Sequence, residues 1–362
     1  MKTELRERFN PDKLRVFSSR VLQGVGVPKE DADITADMLI ACDLRGVESH
    51  GIAHLGPFYI TRIREGNINV TPKLKTSSSS PTLASMDGDK GLGFVVGYHA
   101  MNDAIARAEQ YGSGFITVRN SSHFGAATYY AMMALPHDMI GLALASTWPG
   151  VVSPDGISPS VGTNPLAIAI PSGKKPPFVL DMATSVVAGG KLEIARRQEA
   201  SIPKGWAVDG EGKPLTDPSK TKYGLPTGGL LPLGGEATTG GYKGFGLGVA
   251  IDIFCSLLSG AGPNIFLSKL ADDPGNPFNH FFGAIRIGGF LPVDEFKRQM
   301  DRMTETFEAL PTVPGVKKVY LAGGPEAEIV EERKTNGIPL DERVIQTLKD
   351  LSAELDIEYD LK

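Results

Sequence analysis

A short apolar segment that runs into a histidine-containing polar turn is the feature that most constrains the fold of this chain. Residues 114–118 (GFITV) are apolar and partly β-branched, which predicts a buried strand. Residues 126–133 predict the first turns of a helix. His123 therefore falls between the carboxyl end of a strand and a helix, the position at which α/β proteins tend to bind ligands.

The alternation of strands and helices continues along the chain. Short polar strands are predicted within residues 73–90, and apolar strands at 140–145, 166–170, 178–181, 279–285 and 319–321. Helices are predicted in three segments of residues 11–66, at 93–111, 247–258, 295–310 and 340–355, and directly after residue 181. Interleaved strands and helices predict the α/β class. The sequence lacks a GxGxxG motif, so an ordinary Rossmann fingerprint is absent.

Composition narrows the class of protein further. The 362 residues suffice for two domains, and 41% hydrophobic with 22% charged residues is ordinary for a globular protein. A net charge of −5 argues against a nucleic-acid partner, and no apolar run approaches the roughly 20 residues that span a bilayer. The N-terminus is unlike a signal peptide, and Cys42 and Cys255 lack metal-ligand spacing. We therefore expect a cytoplasmic protein with reduced thiols, no metal site and no membrane partner.

His123 has two interpretations from the residues alone. An unperturbed imidazole has a pKa of about 6.5, which suits proton transfer near neutral pH. Alternatively, His123 caps the new helix, and Ser121 and Ser122 are ordinary N-cap residues. The segment on its own favours capping. His99 and His137 are interpreted as ordinary helix and turn residues.

Two further segments also have both a functional and a purely structural interpretation. Residues 45–51 form a compact polar turn, which either presents His50 or simply joins two helices with Ser49 as the N-cap. Residues 178–185 place Asp181 and Thr184 where they either hold a ribose or phosphate or cap a helix. Near residues 240–246, glycines and a lysine at a helix start suit an anion, although the pattern is not a P-loop.

A set of motifs, taken in order, resembles one family over nearly the whole chain. The motifs are residues 45–51 (RGVESHG), 120–125 (NSSHFG), 162–165 (GTNP), 181–185 (DMATS), 243–246 (KGFG), 280–282 (HFF) and 336–340 (NGIPL). They are similar to the malate/L-lactate dehydrogenase family that is unrelated to the Rossmann-type enzymes of those names. Ureidoglycolate and sulfolactate dehydrogenases and some cyclic-imine reductases belong to it.

The resemblance implies a nicotinamide-dependent oxidoreductase, usually a homodimer, with a mixed-sheet, sulfolactate-dehydrogenase-like α/β fold. Residues 1–72 with 325–362 would form a helical substrate and dimerisation part. Residues 73–324 would form the mixed α/β part, with the cofactor region at about 120–290. The implied site has His123 as acid/base, His50 and Ser49 at the substrate, and cofactor-binding residues at Ser146, Asn164, Asp181, Met182, Ala183 and Lys243.

One departure from the family pattern affects the expected substrate site. His54 stands where the family commonly has an arginine, and Phe58 where a tyrosine is frequent. Histidine is a weaker, pH-dependent partner for a carboxylate than a bidentate arginine. We expect His54 and Arg45 near the substrate, while Arg62 and Arg64 remain open as compensating cations.

The leading hypothesis is an NAD- or NADP-dependent dehydrogenase that interconverts a small 2-hydroxy acid, such as malate or lactate, and its 2-oxo acid. A close variant reduces a cyclic imine carboxylate. Two other classes remain open: a hydrolase or lyase that uses His123 and His50 without a cofactor, and a cofactor-binding protein with altered or lost activity. The sequence does not distinguish NAD from NADP, and it does not identify the side chain of the substrate or the stereochemistry of the reaction.

Overall fold

A computed structural model describes residues 7–220, 228–269 and 278–361. Its helices are α1 (Pro11–Gly24), α2 (Lys29–Leu44), α3 (Thr61–Arg64), α4 (Gly93–Tyr111), α5 (Ala127–Met133), α6 (Gly189–Arg197), α7 (Gly241–Asp252), α8 (Val293–Glu308), α9 (Gly324–Asn336) and α10 (Glu342–Glu354). Its strands are β1 (Glu7–Phe9), β2 (Lys75–Ser80), β3 (Leu83–Asp87), β4 (Ser113–Ser121), β5 (Met139–Ser146), β6 (Val151–Val152), β7 (Pro159–Val161), β8 (Leu166–Ile170), β9 (Phe178–Met182), β10 (Ala207–Val208), β11 (Gly229–Leu230), β12 (Phe278–Arg286) and β13 (Ile338–Leu340).

A seven-stranded mixed sheet organises the molecule, with the strand order β2-β3-β4-β12-β5-β8-β9. Strand β12 pairs antiparallel with both β4 and β5. These two strands therefore run in the same direction and end at the same edge of the sheet, which brings the residues after them to one side. A four-stranded sheet (β10-β11-β6-β7) and the pair β1-β13 complete the arrangement. The predicted mixed α/β class is confirmed.

One continuous apolar core joins the large sheet to the helices that pack on it. Phe94 and Met101 of α4, Tyr130 of α5 and Phe282 of β12 are all fully buried within it. The N-terminal helices contribute to the same core, with Phe17 of α1 among the fully buried side chains. This packing holds the turn after α2 against the edge of the sheet. The division of the chain at residues 72 and 325 stays a prediction.

Helix boundaries follow local chemistry where a cap or a glycine is present. The Asn10 side chain accepts hydrogen bonds from the N–H groups of Asp12 and Lys13, at 2.8 and 3.1 Å, which fixes the start of α1. Helix α4 ends at Gly112, whose φ of 92° is left-handed backbone that glycine adopts without strain. The predicted helix at 93–111 is thus confirmed to the residue.

Two of the predicted elements are wrong, and a third begins at a different residue. Residues 319–321 form no strand, because the described segment meets the edge strand β9 through the hydrogen bond from Val179 N–H to Ala322 O and not through a ladder. The helix predicted directly after residue 181 begins only at Gly189. The helix predicted from residue 247 begins six residues earlier, at Gly241, so Lys243 lies inside its first turn.

Helix α9 was absent from the prediction altogether. None of its residues, all of which are described, is buried, so its sequence carries no apolar periodicity that would reveal a helix. Across the described ranges, no helix is both long and apolar enough to cross a membrane.

Candidate active site

A cavity of about 400 Å³ lies where the turn after α2, the start of α5, the end of β9 and the segment before α9 meet. Its wall includes six of the sequence-predicted residues: Arg45, Ser49, His50, Asp181, Met182 and Ala183. Thr128, Thr163, Tyr320 and Glu326 add to its polar lining. Residues from distant parts of the chain are therefore neighbours here, for example Thr128 and Asp181, which are 53 positions apart.

Three imidazole rings stand in a row beside this cavity, and we call His54, His50 and His123 the histidine row. The rings of His54 and His50 lie 6.3 Å apart at 20°, and those of His50 and His123 lie 5.6 Å apart at 18°. Phe58 packs edge-on against both ends of the row, 5.9 Å from His54 and 5.2 Å from His123. The row thus continues from the cavity wall at His50 to His123, which keeps partial exposure.

His123 is held at one ring nitrogen. Its Nδ1 lies 2.7 Å from the hydroxyl of Tyr59 and, at a longer distance of 3.3 Å, faces the N–H of Gly125. Burial lowers the pKa of His123 well below that of a free imidazole, and the neighbouring bases His50, His54, His280 and Arg62 lower it further. His123 is therefore neutral near pH 7, which is the state that accepts a proton.

The capping interpretation of the segment around His123 is wrong. Helix α5 begins after Ala126, and the described structure gives that residue no side-chain cap. The Ser122 hydroxyl instead accepts a hydrogen bond from the N–H of Gly93, at 2.8 Å, and the Ser121 hydroxyl lies 2.9 Å from Nε2 of buried His280. Both serines fasten the strand end to neighbouring elements, which fixes the backbone on either side of His123.

The turn that carries Ser49 and His50 is set by a buried carboxylate. Asp43 of α2 accepts a 2.7 Å hydrogen bond from the N–H of Ile52, and burial raises the pKa of Asp43 to about 7. A Cβ on Gly51 would lie 2.0 Å from Asp43 Oδ1, so only glycine allows this approach. Asp43 therefore requires the glycine of the Ser-His-Gly motif and fixes the position of the turn.

Within that turn, the Ser49 hydroxyl lies 2.9 Å from Nδ1 of His50. Ser49 lies within the 3-10 turn Glu48–His50 and does not occupy an N-cap position, so its predicted alternative role as a cap is wrong. Burial, with a smaller contribution from His54, lowers the pKa of His50 to about 4. His50 is thus a second neutral imidazole, with one nitrogen oriented by Ser49.

Asp181 closes the opposite side of the cavity. Its carboxylate accepts a 2.9 Å hydrogen bond from the N–H of Thr128, in the first turn of α5, and a second bond from the Thr128 hydroxyl. Burial by the surrounding walls raises the pKa of Asp181, and these hydrogen bonds and Arg45 lower it in part. Part of the residue stays open to solvent. Asp181 therefore caps α5 from a distant strand, and Thr184 donates to the carbonyls of Thr163 and Asn164 and caps no helix.

Arg45 faces the same cavity with an unpaired atom. Its Nε is buried, and the part of the chain that the structure describes offers it no hydrogen-bond partner. Burial lowers the pKa of Arg45, although a guanidinium stays charged in proteins. A cation with an unsatisfied buried donor in a cavity wall suits an anionic group.

Three of the predicted cofactor residues lie away from the cavity wall. Ser146 is fully buried, and its hydroxyl lies 2.7 Å from that of Ser256. Asn164 is also fully buried; it accepts from the N–H of Thr147 at 3.0 Å and donates to the carbonyl of Gly248 at 2.8 Å. Lys243 is exposed on the first turn of α7. Their cofactor roles stay predictions.

Sequence reasoning missed Tyr59, Asp43 and Thr128. Tyr59 faces His123 because the segment Leu55–Ile60 is a π-helical turn, which helical periodicity does not anticipate. Asp43 carried a signal, since an acid that follows an apolar run in a predicted helix (LIACD, residues 39–43) is unusual. Thr128 carried none, because its partner is 53 residues away.

The described ranges contain no group of three or more His, Cys, Asp or Glu side chains that could hold a metal ion.

Comparison with known proteins places the chain in a family. The family model described as malate/L-lactate dehydrogenase matches residues 9–349, and the chain belongs to this family. Malate dehydrogenase of Pyrococcus horikoshii is 41% identical over 352 residues, which cover 97% of this chain and 96% of that protein. The protein is accordingly an oxidoreductase of the malate/lactate dehydrogenase type.

Solved structures agree on the fold. The crystal structure of malate dehydrogenase from Entamoeba histolytica superposes with a TM-score of 0.94 at 34% identity, covering 98% of this chain and 99% of that one. Sulfolactate dehydrogenase from Methanocaldococcus jannaschii superposes with a TM-score of 0.84 at 38% identity, covering 97% and 98%. The predicted sulfolactate-dehydrogenase-like fold, distinct from the Rossmann fold, is confirmed.

Proposed function

We propose that this protein is an NAD- or NADP-dependent dehydrogenase that interconverts a 2-hydroxy acid of the malate or lactate type and its 2-oxo acid, with His123 as the acid/base. The observation that carries the proposal is a neutral, partly exposed imidazole, bonded at Nδ1, in a row with His50 at a cavity wall that also holds Arg45. The names of the relatives, malate and L-sulfolactate dehydrogenase, support the same substrate class.

The chemistry of the reaction assigns distinct tasks to the histidines. A bound nicotinamide supplies the hydride acceptor or donor. In the oxidation direction His123 takes the proton of the substrate hydroxyl, and in reduction it returns a proton to the new alcohol oxygen. His50, whose Nδ1 lies beside the Ser49 hydroxyl, uses its other nitrogen to hydrogen-bond the substrate oxygen and orient it.

The substrate carboxylate needs a cationic partner. Arg64 already pairs with Glu354 at 2.8 Å, and the Arg62 guanidinium lies 4.6 Å from the centre of the Phe58 ring. Arg45 lines the cavity and holds a buried Nε that lacks a partner in the described chain. We therefore assign the carboxylate to Arg45, with His54 at the far end of the histidine row as a secondary contact.

The residues of β9 fit a nicotinamide cofactor. The Asp181 carboxylate can accept hydrogen bonds from ribose hydroxyls at the cavity wall, and Met182 and Ala183 follow it along the same wall. Ser146 and Asn164 support the cofactor site indirectly, because their buried hydrogen bonds fix the loops that border this region. Lys243 contributes a positive charge at the start of α7. NAD and NADP both fall within the proposal.

The test is absorbance of the reduced nicotinamide during incubation with malate, lactate, sulfolactate and their 2-oxo acids, with each cofactor in turn. We expect turnover with at least one pair and a thermal shift on cofactor addition, because a ligand at about 100 times its Kd adds about 2.7 kcal/mol of stability. A cyclic imine carboxylate in the same panel tests the reductase variant. Absence of both turnover and thermal shift would contradict the proposal.

We propose further that two copies of this chain form a homodimer in the cytoplasm. The support for dimerisation is the family resemblance and a group of exposed apolar side chains after α7, namely Ile253, Phe254, Leu257 and Leu258. The support for the location is that Cys42 and Cys255 are both buried free thiols. Light scattering after size-exclusion chromatography checks the first point: we expect a dimer, with Leu258→Asp shifting it to monomer, and a wild-type monomer would contradict it.

A further inference from the structure

Tyr59 is buried completely, and its hydroxyl lies 2.7 Å from Nδ1 of His123. It belongs to the π-helical turn Leu55–Ile60, next to Phe58, whose ring also contacts His123. Consecutive residues of a regular α-helix point about 100° apart, so the wider π turn accounts for two neighbouring rings at one imidazole. Such turns are frequent at functional sites.

Within residues 7–220, 228–269 and 278–361, His123 has no carboxylate partner of the kind that often orients a catalytic imidazole. The groups that act on it electrostatically are His50, His54, His280 and Arg62, all of them bases. Among the described residues, Tyr59 is the side chain that hydrogen-bonds the His123 ring. Orientation of this imidazole therefore depends on a neutral hydroxyl.

The second contact at Nδ1 makes the choice of tautomer important. The N–H of Gly125, 3.3 Å away, can only donate, so it favours an Nδ1 without a proton. A base that takes the substrate proton at Nε2 needs the opposite tautomer, with the proton on Nδ1. The Tyr59 oxygen can accept that proton's hydrogen bond, and it keeps the bond after His123 has become an imidazolium.

We propose that Tyr59 is a positioning residue that orients the His123 ring and holds its proton on Nδ1, so that Nε2 is free for the substrate. The proposal rests on the proposed acid/base role of His123. Burial raises the pKa of Tyr59 well above that of a free tyrosine, so its hydroxyl stays neutral and positions the ring without taking part in the proton transfer.

Tyr59→Phe removes the hydroxyl and keeps the buried ring. Tyr130→Phe is the matched control, because Tyr130 is equally buried in the same core and its hydroxyl bonds the carbonyl of Phe124, at 2.6 Å, away from the His123 ring. We expect Tyr59→Phe to lower kcat on the order of 10²-fold, the scale of a misplaced reacting group, with the apparent cofactor constant unchanged. Tyr130→Phe should lose thermal stability but keep kcat within about twofold of wild type.

Nitrogen NMR of the His123 ring in the substrate-free protein tests the inference independently of turnover. In the wild type we expect the proton on Nδ1, and in Tyr59→Phe a shift of population towards the Nε2-protonated tautomer. The wild-type spectrum needs no variant to fold, and an Nε2-protonated ring there would overturn the proposal. An equal loss of kcat in both tyrosine variants would also overturn it. If His123→Ala kept full turnover, the acid/base role would fail instead, while the tautomer measurement would still decide the role of Tyr59.

Discussion

The ends of strands β4 and β5 make an informative comparison. Both strands flank β12, run in the same direction and finish in hydroxyl residues at one edge of the sheet. After β4, His123 stays partly exposed beside a cavity wall. After β5, Ser146 is fully buried. The same sequence pattern therefore produces a candidate reactive group after β4 and a buried structural hydrogen bond at the end of β5.

The difference lies in what packs over each strand end. The β4 end is covered by aromatic rings, with Tyr59 supplying one hydroxyl and Phe278 lying edge-on to His123 at 5.6 Å. Such a cover lowers the pKa of the imidazole by desolvation. The site thus gains its chemistry from an apolar environment.

The β5 end is covered by polar side chains that form hydrogen bonds with one another. Ser256 donates to Asp252 at 2.8 Å and accepts from the Asn279 side chain at 3.2 Å, in addition to its contact with Ser146. The N–H of Asn264 donates to the other oxygen of Asp252 at 3.2 Å. Since buried polar groups that are bonded to each other stabilise a structure without offering a reactive atom, we expect this network to serve folding.

Replacement of His123 gives the largest expected effect. His123→Ala removes the proposed acid/base, so turnover should fall by about 10²–10⁴-fold. The cofactor-dependent thermal shift should remain, since the residues assigned to direct cofactor contact, Asp181, Met182 and Ala183, lie at the end of β9. Steady-state kinetics and thermal denaturation check the two halves of this prediction, and loss of cofactor binding with little change in kcat would mean that the role of His123 is misassigned.

Ser256→Ala tests the other strand end. It leaves Ser146, Asp252 and the Asn279 amide short of a partner, so the free energy of unfolding should drop by about 1–3 kcal/mol. Turnover per folded molecule should stay near that of wild type. Urea denaturation and an assay at low denaturant measure both quantities. A large drop in kcat at unchanged stability would show that the network belongs to the active site.

Asp181→Asn has a smaller expected effect, on cofactor affinity. Asparagine keeps an acceptor for the Thr128 N–H but loses the charge that strengthens a hydrogen bond to a ribose hydroxyl. The apparent cofactor constant should rise about tenfold, with kcat changed less. Titration of cofactor at saturating substrate measures this, and Thr128→Val serves as a control that removes only the hydroxyl bond to Asp181 and keeps the backbone N–H bond.

The smallest expected effect is the change in kcat for oxidation with pH. A base must be neutral to act, and a lowered pKa keeps His123 neutral to lower pH than a free imidazole. An ordinary imidazole with a pKa of about 6.5 would lose about fourfold in its neutral form between pH 7.5 and 6.0. We expect kcat for oxidation to change by less than about twofold over that range. A full loss with a midpoint near 6.5 would contradict the assigned environment of His123.

The sequence predicts the parts of the site that depend on linear motifs. His123, His50, Ser49 and Asp181 all sit at element ends, where the rules for strand ends and turns apply, and the structure places them around one region. Tyr59 could not be predicted, because its orientation depends on a π turn that regular helical spacing does not describe.

The burial of Ser146 and Asn164 could not be predicted from the sequence either. Their burial depends on Ser256 and Gly248, which lie 110 and 84 residues away along the chain. A motif indicates that a residue lies at a strand end, but only the tertiary packing decides whether that end meets solvent. Helix α9 shows the converse limit, since a helix without a buried face leaves no apolar pattern to detect.

A crystal structure of the protein with reduced nicotinamide and a non-reactive 2-oxo acid analogue tests the central claim most directly. The measured quantity is the distance from Nε2 of His123 to the 2-oxo oxygen of the analogue. We predict a hydrogen bond of about 2.6–3.2 Å, with the nicotinamide ring in contact with the carbon that carries this oxygen. An analogue bound elsewhere, or a nicotinamide ring far from the histidine row, would contradict the account.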